Sequence, residues 1–260
     1  MKTKFAYNYK GIFSFLLFFL PVSLMFSQDK KTKIYLVGDS TMCLYDDSRF
    51  PQQGWGMPFV HFFNDTVEIK NYARGGRSTK SFVDENRWQP IVDSLQAGDY
   101  VLIQFGHNDA ANSKNHPNRY TSPAAYKKYM AKYISDTKAK IANPVLISPV
   151  TRWEFDAEGK AMESHEPYLK ALIDVSKEYR VPMIDLDTKS RKLLDKMGQE
   201  CSRHLYMYFE KGEFFKFPDG YPDNTHFTEF GARKMAEIVI NEILAQDLKL
   251  TQYLIKPKRQ

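Results

Sequence analysis

From residue 33 onward the chain alternates short apolar runs with longer stretches of helical period. The runs are rich in Val, Ile, Leu and aromatic residues, as buried strands are, and they occupy residues 34–38, 67–73, 99–106, 144–150 and 182–187. Apolar residues recur at helical spacing around residues 55–63, 81–96, 122–142, 165–179, 189–197 and 228–246. This alternation predicts an α/β fold in which helices cover both faces of a central parallel sheet.

The alternating region reads as one domain. No internal repeat and no Gly-, Ser- or Pro-rich linker interrupts residues 33–247, and a chain of 260 residues fits one large domain. The composition is 43% hydrophobic and 26% charged, which excludes collagen-like and wholly disordered classes. We therefore predict a single domain over residues 28–260.

Residues 1–27 have the pattern of an export signal. They contain three lysines and no acidic residue, and their apolar run, residues 12–26, is shorter than the roughly 20 residues that cross a bilayer as a helix. Ser27 precedes a polar stretch, so cleavage there is expected, and an uncleaved anchor is the alternative. We predict an exported protein, periplasmic or extracellular, without stable membrane association after cleavage.

Charge, cysteine content and histidine spacing limit the binding partners, disulfides and metal sites that the sequence supports. The formal charge of +6 falls to 34 basic against 31 acidic residues without residues 1–27, which is too small an excess to indicate nucleic acid. Cys43 and Cys201 allow at most one disulfide, and a free, buried pair is an equal alternative. The six histidines form no H-E-x-x-H motif and no close pair, so no zinc site is indicated. We predict no metal site and no cofactor.

Three predicted strand ends carry polar residues suited to ester hydrolysis. Ligands of parallel sheets bind beyond the carboxyl ends of the strands. Ser40 follows the first strand and could be a nucleophile, although a serine there could also form a turn or cap a helix. Gly75 and Gly76 follow the second strand, where backbone amides could hold an anion, or they form an ordinary flexible turn. Asn108 follows the third strand and offers an amide donor, or it forms an Asx-turn.

A carboxylate and an imidazole precede the last predicted helix. Asp223 and His226 are three residues apart, so one turn of local structure could bring them into contact. A serine nucleophile needs a base to take its proton, and that base needs a group that fixes its tautomer. Either residue alone could be a helix cap or a surface residue, but together with Ser40 they predict a catalytic triad. No Gly-x-Ser-x-Gly occurs, so the nucleophile elbow of α/β-hydrolases does not fit.

The order of these motifs resembles that of the SGNH/GDSL hydrolases. The four blocks are Gly-Asp-Ser at residues 38–40, Gly-Arg-Ser at 76–78, Gly-His-Asn-Asp at 106–109 and Asp-x-x-His at 223–226. The residues around them are similar to the rhamnogalacturonan acetylesterases of carbohydrate esterase family 12, and the resemblance covers about residues 33–247. It implies a three-layer α/β/α fold of flavodoxin type and metal-independent removal of acetyl groups from pectin. The oxyanion hole would combine the backbone amides of Ser40 and Gly76 with the side-chain amide of Asn108.

Residues 198–222 break the alternation, because they are aromatic and have neither period. A loop of this length is usually functional, and it directly precedes Asp223. Tyrosine joins a flat apolar ring to a polar tip, so we predict substrate contacts for Tyr206, Tyr208 and Tyr221. The alternative is that the aromatic residues of this segment only pack it onto the domain.

Together these features predict a secreted serine esterase that removes O-acetyl groups from pectic polysaccharide through an acyl-serine intermediate. The expected partner is an acetylated polysaccharide or oligosaccharide. One alternative is an SGNH esterase that acts on another acetylated glycan or on a lipid ester, because specificity lies in loops outside the catalytic blocks. Another is a carbohydrate-binding protein without catalytic activity.

Overall fold

The structure is a computed structural model that describes residues 1–3 and 31–256. Most of the predicted export signal, residues 1–27, lies outside the described residues. The assigned helices and strands belong to the unit Lys31–Gln260. None of the helices in the described ranges combines the length and the apolar character needed to span a bilayer.

The described residues contain eight strands and seven α-helices. The strands are β1 (Thr32–Gly38), β2 (Gln52–Gln53), β3 (Val67–Asn71), β4 (Tyr100–Gln104), β5 (Asn143–Ile147), β6 (Met183–Ile184), β7 (Tyr206–Phe209) and β8 (Tyr221–Thr228). The helices are α1 (Gly56–Phe59), α2 (Thr79–Asp84), α3 (Gln89–Ser94), α4 (Pro123–Ala139), α5 (Glu166–Tyr179), α6 (Leu186–Arg203) and α7 (Glu229–Ala245).

Five of the strands form a parallel sheet in the order β3-β1-β4-β5-β6. Numbered among themselves along the chain, these strands have the order 2-1-3-4-5, which is the flavodoxin arrangement. The predicted parallel sheet is confirmed, and each of its strands overlaps a predicted apolar run, although β1 and β5 begin before theirs. The direction in which the chain progresses across the sheet reverses between β1 and β4, and folds of this kind bind ligands at the carboxyl ends of such a pair.

Alternation along the strands divides the core between two faces of the sheet. On β1, Ile34 and Leu36 pack in one apolar cluster with residues of α1, α6 and α7. Tyr35 and Val37 pack in a second cluster with residues of α2, α3, α4 and α5. The three-layer α/β/α fold expected from the family resemblance is therefore confirmed.

A second sheet was not predicted. Strands β2, β8 and β7 pair antiparallel, with Gln53 opposite Phe227 and Phe209 opposite Tyr221. The prediction of a long loop over residues 198–222 is wrong, because these residues form the end of α6, strand β7, a hairpin turn and the start of β8. The alternation of β8 is masked by Pro222 and by the polar residues after it, and pairing with β7 and β2 holds this strand extended.

The helix boundaries follow local chemistry. The helix predicted over residues 81–96 divides into α2 and α3, and Asn86 between them has a positive φ of 55°. Helix α6 continues past the predicted residue 197 to Arg203, with non-helical backbone at Gly198. Thr228 caps α7 by accepting a hydrogen bond from the Gly231 amide at 3.2 Å, so α7 begins three residues after His226.

The two cysteines are both free thiols. Cys43 is buried beside Ser40, whereas Cys201 is exposed on α6. The structure thus contains no disulfide between them. Of the predicted alternative, a free and buried pair, both cysteines are free but only Cys43 is buried.

Candidate active site

Strand β1 places Ser40 at the mouth of the parallel sheet. The strand ends at Gly38, where a Cβ atom would lie only 2.5 Å from the carbonyl oxygen of Gln104 on β4, so only glycine allows this close approach. The turn that follows is closed by hydrogen bonds from the Met42 and Cys43 amides to the Asp39 carbonyl. Ser40 is 9% exposed, and its side chain lines an open cleft of about 730 Å³.

A buried network holds this turn. Trp55 Nε1 donates to Gln104 Oε1 at 2.7 Å, and Gln104 Nε2 donates to Thr41 Oγ1 at 3.2 Å. Thr41 in turn donates through its hydroxyl to Asp39 Oδ1 at 2.8 Å. Burial raises the pKa of the Asp39 carboxyl against the effect of these hydrogen bonds. This supporting network was not predicted, although a glutamine at the end of an otherwise apolar run was a signal for it.

Strand β8 brings Asp223 and His226 to Ser40. His226 Nδ1 lies 2.7 Å from Asp223 Oδ2, and His226 Nε2 lies 2.9 Å from Ser40 Oγ. The amides of Thr225 and His226 donate to Asp223 Oδ1 at 2.9 and 3.0 Å, so an Asx-turn within β8 closes the three-residue spacing. The structure therefore places all three predicted triad residues in one hydrogen-bonded line.

The hydrogen bonds of the triad set the roles of its atoms. Burial acts to raise the pKa of Asp223, but the hydrogen bonds from the His226 ring and from the two amides together hold the pKa below its ordinary value. Asp223 is then a carboxylate that accepts the Nδ1 proton of His226. This leaves Nε2 as the acceptor for the Ser40 hydroxyl proton, which is the arrangement that activates a serine.

The predicted oxyanion donors line the same cleft. Ser40, Gly76 and Asn108 all lie on its wall, as does Gly75. Among the described residues, the amides of Ser40 and Gly76 donate to no backbone carbonyl, so they stay available for a ligand oxygen, whereas the Gly75 amide faces the Cys43 thiol. A Cβ atom on Gly75 would lie 3.6 Å from the Ser40 Cβ, so the glycine pair directly borders the candidate nucleophile.

Gly76 occupies a conformation that its residue type makes possible. Its φ of +78° lies in the left-handed region, and the Arg77 amide donates to the Arg74 carbonyl at 3.3 Å to close the turn. The choice of Gly76 as the donor remains a prediction.

The segment that carries Asn108 is fixed by its neighbour Asp109. The buried Asp109 carboxylate accepts hydrogen bonds from the Thr79 amide and hydroxyl at the start of α2, and the Tyr168 hydroxyl donates to the Asp109 carbonyl. Burial raises the pKa of Asp109 to about 7. This anchoring leaves the Asn108 side chain on the cleft wall.

The three tyrosines predicted to bind substrate have different environments. Tyr206 is 0% exposed, and its hydroxyl donates to the Thr151 carbonyl at 3.0 Å, so the prediction that it contacts substrate is wrong. Tyr208 packs on Trp153 with ring centroids 4.7 Å apart and lies outside the cleft lining. Tyr221 lines an adjoining cavity of about 400 Å³, which shares Arg49 and Gln52 with the cleft.

The arginines of the cleft were not predicted. Five of them line it, namely Arg49, Arg74, Arg77, Arg119 and Arg152. Arg74 and Arg77 flank the glycine pair and could have been singled out there, whereas the others come from separate segments that meet only in the fold. Within the residues that the structure describes, no group of three or more His, Cys, Asp or Glu side chains is arranged to hold a metal ion.

Several known proteins are similar to this chain in sequence and in fold. The profile of the GDSL-like Lipase/Acylhydrolase family matches residues 34–239. The rhamnogalacturonan acetylesterase RhgT of Bacillus subtilis (strain 168) is 37% identical over 227 residues, which are 87% of this chain and 95% of RhgT. The crystal structure of YxiM from Bacillus subtilis has 28% identity and a TM-score of 0.73, and the match covers 85% of this chain and 58% of that chain.

A more distant structure supports the fold alone. The crystal structure of Axe2, an acetylxylan esterase from Geobacillus stearothermophilus, has 13% identity and a TM-score of 0.59, with 82% of this chain and 94% of that chain covered. The resemblance stated from the four sequence blocks is confirmed by the family profile and by RhgT. The chain belongs to the GDSL-like lipase/acylhydrolase family and is a carboxylic ester hydrolase.

Proposed function

We propose that this protein is a serine acetylesterase that removes O-acetyl groups from a rhamnogalacturonan-type pectic polysaccharide. The observation that carries the proposal is the hydrogen-bonded line from Asp223 through His226 to Ser40, which opens onto a cleft of about 730 Å³. The similarity to RhgT, which extends over 95% of that protein, supports the choice of substrate class.

The geometry supports acyl transfer in two steps. His226 Nε2 takes the proton of Ser40 as Oγ attacks the acetyl carbonyl carbon, and Asp223 stabilises the imidazolium that forms. The amides of Ser40 and Gly76 and the side-chain amide of Asn108 would donate to the oxyanion of the tetrahedral intermediate. Collapse of the intermediate breaks the bond between the acetyl carbon and the sugar oxygen. The sugar takes the proton from His226 and departs as an alcohol, and an acetyl-serine ester remains on the enzyme.

The second step restores the enzyme. A water molecule gives a proton to His226 Nε2 and attacks the acetyl-serine carbonyl, and the same donors hold the second oxyanion. Breaking of the bond to Oγ releases acetic acid, while His226 returns its proton to Ser40. The proposal needs only residues that line the cleft.

The activity is tested by measuring acetate release from acetylated rhamnogalacturonan, acetylated xylan and a long-chain lipid ester. We expect the largest kcat/KM on rhamnogalacturonan. Replacement of Ser40 by Ala should lower turnover at least about a thousandfold and leave the melting temperature unchanged, because the Ser40 hydroxyl bonds only to His226 at 2.9 Å among the described residues. Equal turnover by Ser40→Ala, in a preparation free of host esterase, would remove this mechanism. A larger kcat/KM on the lipid ester would show that the substrate is a lipid ester and not a pectic polysaccharide.

We also propose that the protein acts outside the cytoplasm. The support is the sequence pattern of residues 1–27, three lysines followed by a 15-residue apolar run. A polysaccharide cannot cross a membrane unaided, so export would bring the enzyme to its substrate. Mass spectrometry of protein recovered from the periplasm or medium should find an N-terminus at Gln28, and recovery of the uncleaved chain in the cytoplasm alone would contradict export.

A further inference from the structure

The cleft beside Ser40 has a strongly positive lining. Five arginines border it and no lysine does, and its two acidic residues are Asp46 and Asp223. Asp223 is already engaged by the ring of His226 at 2.7 Å, and Asp46 caps a short helical turn by accepting from the Ser48 amide at 3.0 Å. The five arginines therefore outnumber the two acidic residues of this lining.

Most of these arginines have no acidic partner. Arg77 pairs with Glu85 at 3.0 Å, but no salt bridge joins the other four cleft arginines to an acidic residue in the described part of the chain. Elsewhere on the surface the pattern differs, because Arg87, Arg191, Arg203 and Arg233 each pair with a carboxylate. Unpaired like charges in one groove repel each other, and an anionic ligand relieves that repulsion.

Two of the unpaired arginines flank the glycine turn that borders the nucleophile. Arg74 begins this turn, and its amide donates to the Gly38 carbonyl at 2.9 Å. Arg119 lies across it, since a Cβ atom on Gly76 would be 3.4 Å from Arg119 Nη2. Both side chains are exposed. The turn itself borders Ser40 through Gly75, and both arginines line the cleft at this point.

We propose that Arg74 and Arg119 bind the carboxylate of a uronic acid residue of the bound glycan and thereby select acidic over neutral acetylated glycans. The inference rests on the proposed esterase function and adds the residues that recognise the acidic sugars of its substrate. A guanidinium presents paired N–H donors that match the two oxygens of a carboxylate, whereas hydroxyl groups of a neutral sugar offer no charge. Because both side chains are exposed, added salt screens the interaction.

The test compares one glycan with and without its charge. Acetylated rhamnogalacturonan oligosaccharides are assayed beside the same oligosaccharides after reduction of their carboxyl groups to primary alcohols. For the double variant Arg74→Gln/Arg119→Gln we expect KM on the acidic substrate to rise about tenfold, and the ratio of kcat/KM between acidic and reduced substrates to fall by a similar factor. Sodium chloride should lower the same ratio for the wild-type enzyme and not for the double variant.

Arg180→Gln is the matched control. Arg180 is exposed and lies outside the cleft lining, and it forms no ion pair with another described residue, so its loss removes one positive charge of the same kind without touching the groove. We expect this variant to keep the wild-type ratio. An equal loss on acidic and reduced substrates by the double variant would show that the two arginines support the site structurally, and an unchanged ratio would show that the carboxylate binds elsewhere; either result overturns the proposal.

Binding without hydrolysis separates this inference from the proposed function. Calorimetry with polygalacturonate oligosaccharides, which carry no acetyl group, is run on the Ser40→Ala protein with and without the two arginine substitutions. We expect binding to the Ser40→Ala protein and a loss of affinity of about tenfold when both arginines are replaced. If the wild-type enzyme released no acetate but the arginine substitutions still weakened binding of polygalacturonate, the esterase proposal would be wrong and the proposed carboxylate site would be supported. No difference in binding would overturn the arginine site even for an active esterase.

Discussion

Asn108 lines the cleft and is held by its neighbours. The backbone carbonyl of Asn108 accepts from the Ala111 amide at 3.2 Å, and the adjacent Asp109 is tied to Thr79. A donor fixed in this way stabilises an oxyanion more than a ground-state carbonyl, because the charge appears only in the transition state.

Asn108→Ala should therefore lower kcat by roughly 10²–10³-fold with little change in KM. Steady-state kinetics on p-nitrophenyl acetate measure both constants, and Asn112→Ala, in the exposed part of the same loop, is the control. If only KM changed for Asn108→Ala, the side chain would be a substrate contact or a turn residue and would not act on the oxyanion.

Single residues differ in how far the sequence could predict them. Ser40, Asp223 and His226 were predictable because each stands in a short local motif whose chemistry needs the other two. Tyr206 was not, since its burial is decided by packing against Phe227 on the paired strand, with ring centroids 5.3 Å apart. Arg119 was equally hidden, because it lies beside Gly76 although it is 43 residues further along the chain.

At the scale of elements, the carboxyl end of β4 meets the start of α5 through two buried histidines. The rings of His107 and His165 pack edge to face with centroids 4.3 Å apart, and none of their four nitrogens has a hydrogen-bond partner among the described residues. Burial, and then the charge of Arg152, lowers the pKa of His165 to about 3. Burial and the neighbouring imidazole also lower the pKa of His107. Both rings are therefore neutral in the folded protein.

This pair predicts a loss of stability in mild acid. An unfolded histidine has a pKa of about 6.5, so between that value and the folded value near 3 for His165 the unfolded chain binds a proton that the folded chain does not. The stability contributed by neutral His165 is thus complete above pH 6.5 and falls as the pH falls towards 3. Replacing His165 by Leu should reduce the drop in unfolding free energy between pH 7.5 and 5 by about 2 kcal/mol.

Chemical denaturation at both pH values measures this drop for each protein. Since the comparison is of differences between the two pH values, any change in packing caused by leucine cancels to first order. An identical drop in the wild-type protein and in His165→Leu would mean that His165 takes up its proton in the folded state as well.

The elements themselves were predictable in proportion to their burial. The central strands β1, β4 and β5 are mostly buried, so they appear in the sequence as continuous apolar runs, whereas the edge strand β3 is only partly buried and carries Glu68 and Lys70. Strands β7 and β8 are stabilised by pairing with each other and with β2, and β8 must also carry the polar residues of the triad. Its sequence is therefore dominated by chemistry, and the strand became visible only in the structure.

At the scale of the whole described unit, the cleft continues beyond the triad. Arg49 and Gln52 border both the cleft and the cavity of about 400 Å³ that is lined by Phe217 and Tyr221. The rings of Phe217 and Tyr221 stack with centroids 4.6 Å apart and planes at 16°. A polysaccharide whose acetylated residue lies at Ser40 could extend over Arg49 onto this pair of rings, and contacts so far from the ester act on a polymer and not on a minimal substrate.

Tyr221→Ala should therefore lower kcat/KM on acetylated oligosaccharides several-fold more than on p-nitrophenyl acetate, since only the longer substrate reaches the ring, where stacking against an aromatic face contributes about 1 kcal/mol. Tyr208→Ala is the matched control. Tyr208 belongs to the same antiparallel sheet and packs on Trp153, but it lines neither the cleft nor the adjoining cavity. Its replacement should lower the melting temperature and change the two activities in parallel. If Tyr221→Ala also gave parallel losses with a lowered melting temperature, the ring would serve to pack the hairpin, and the polysaccharide would leave the cleft in another direction.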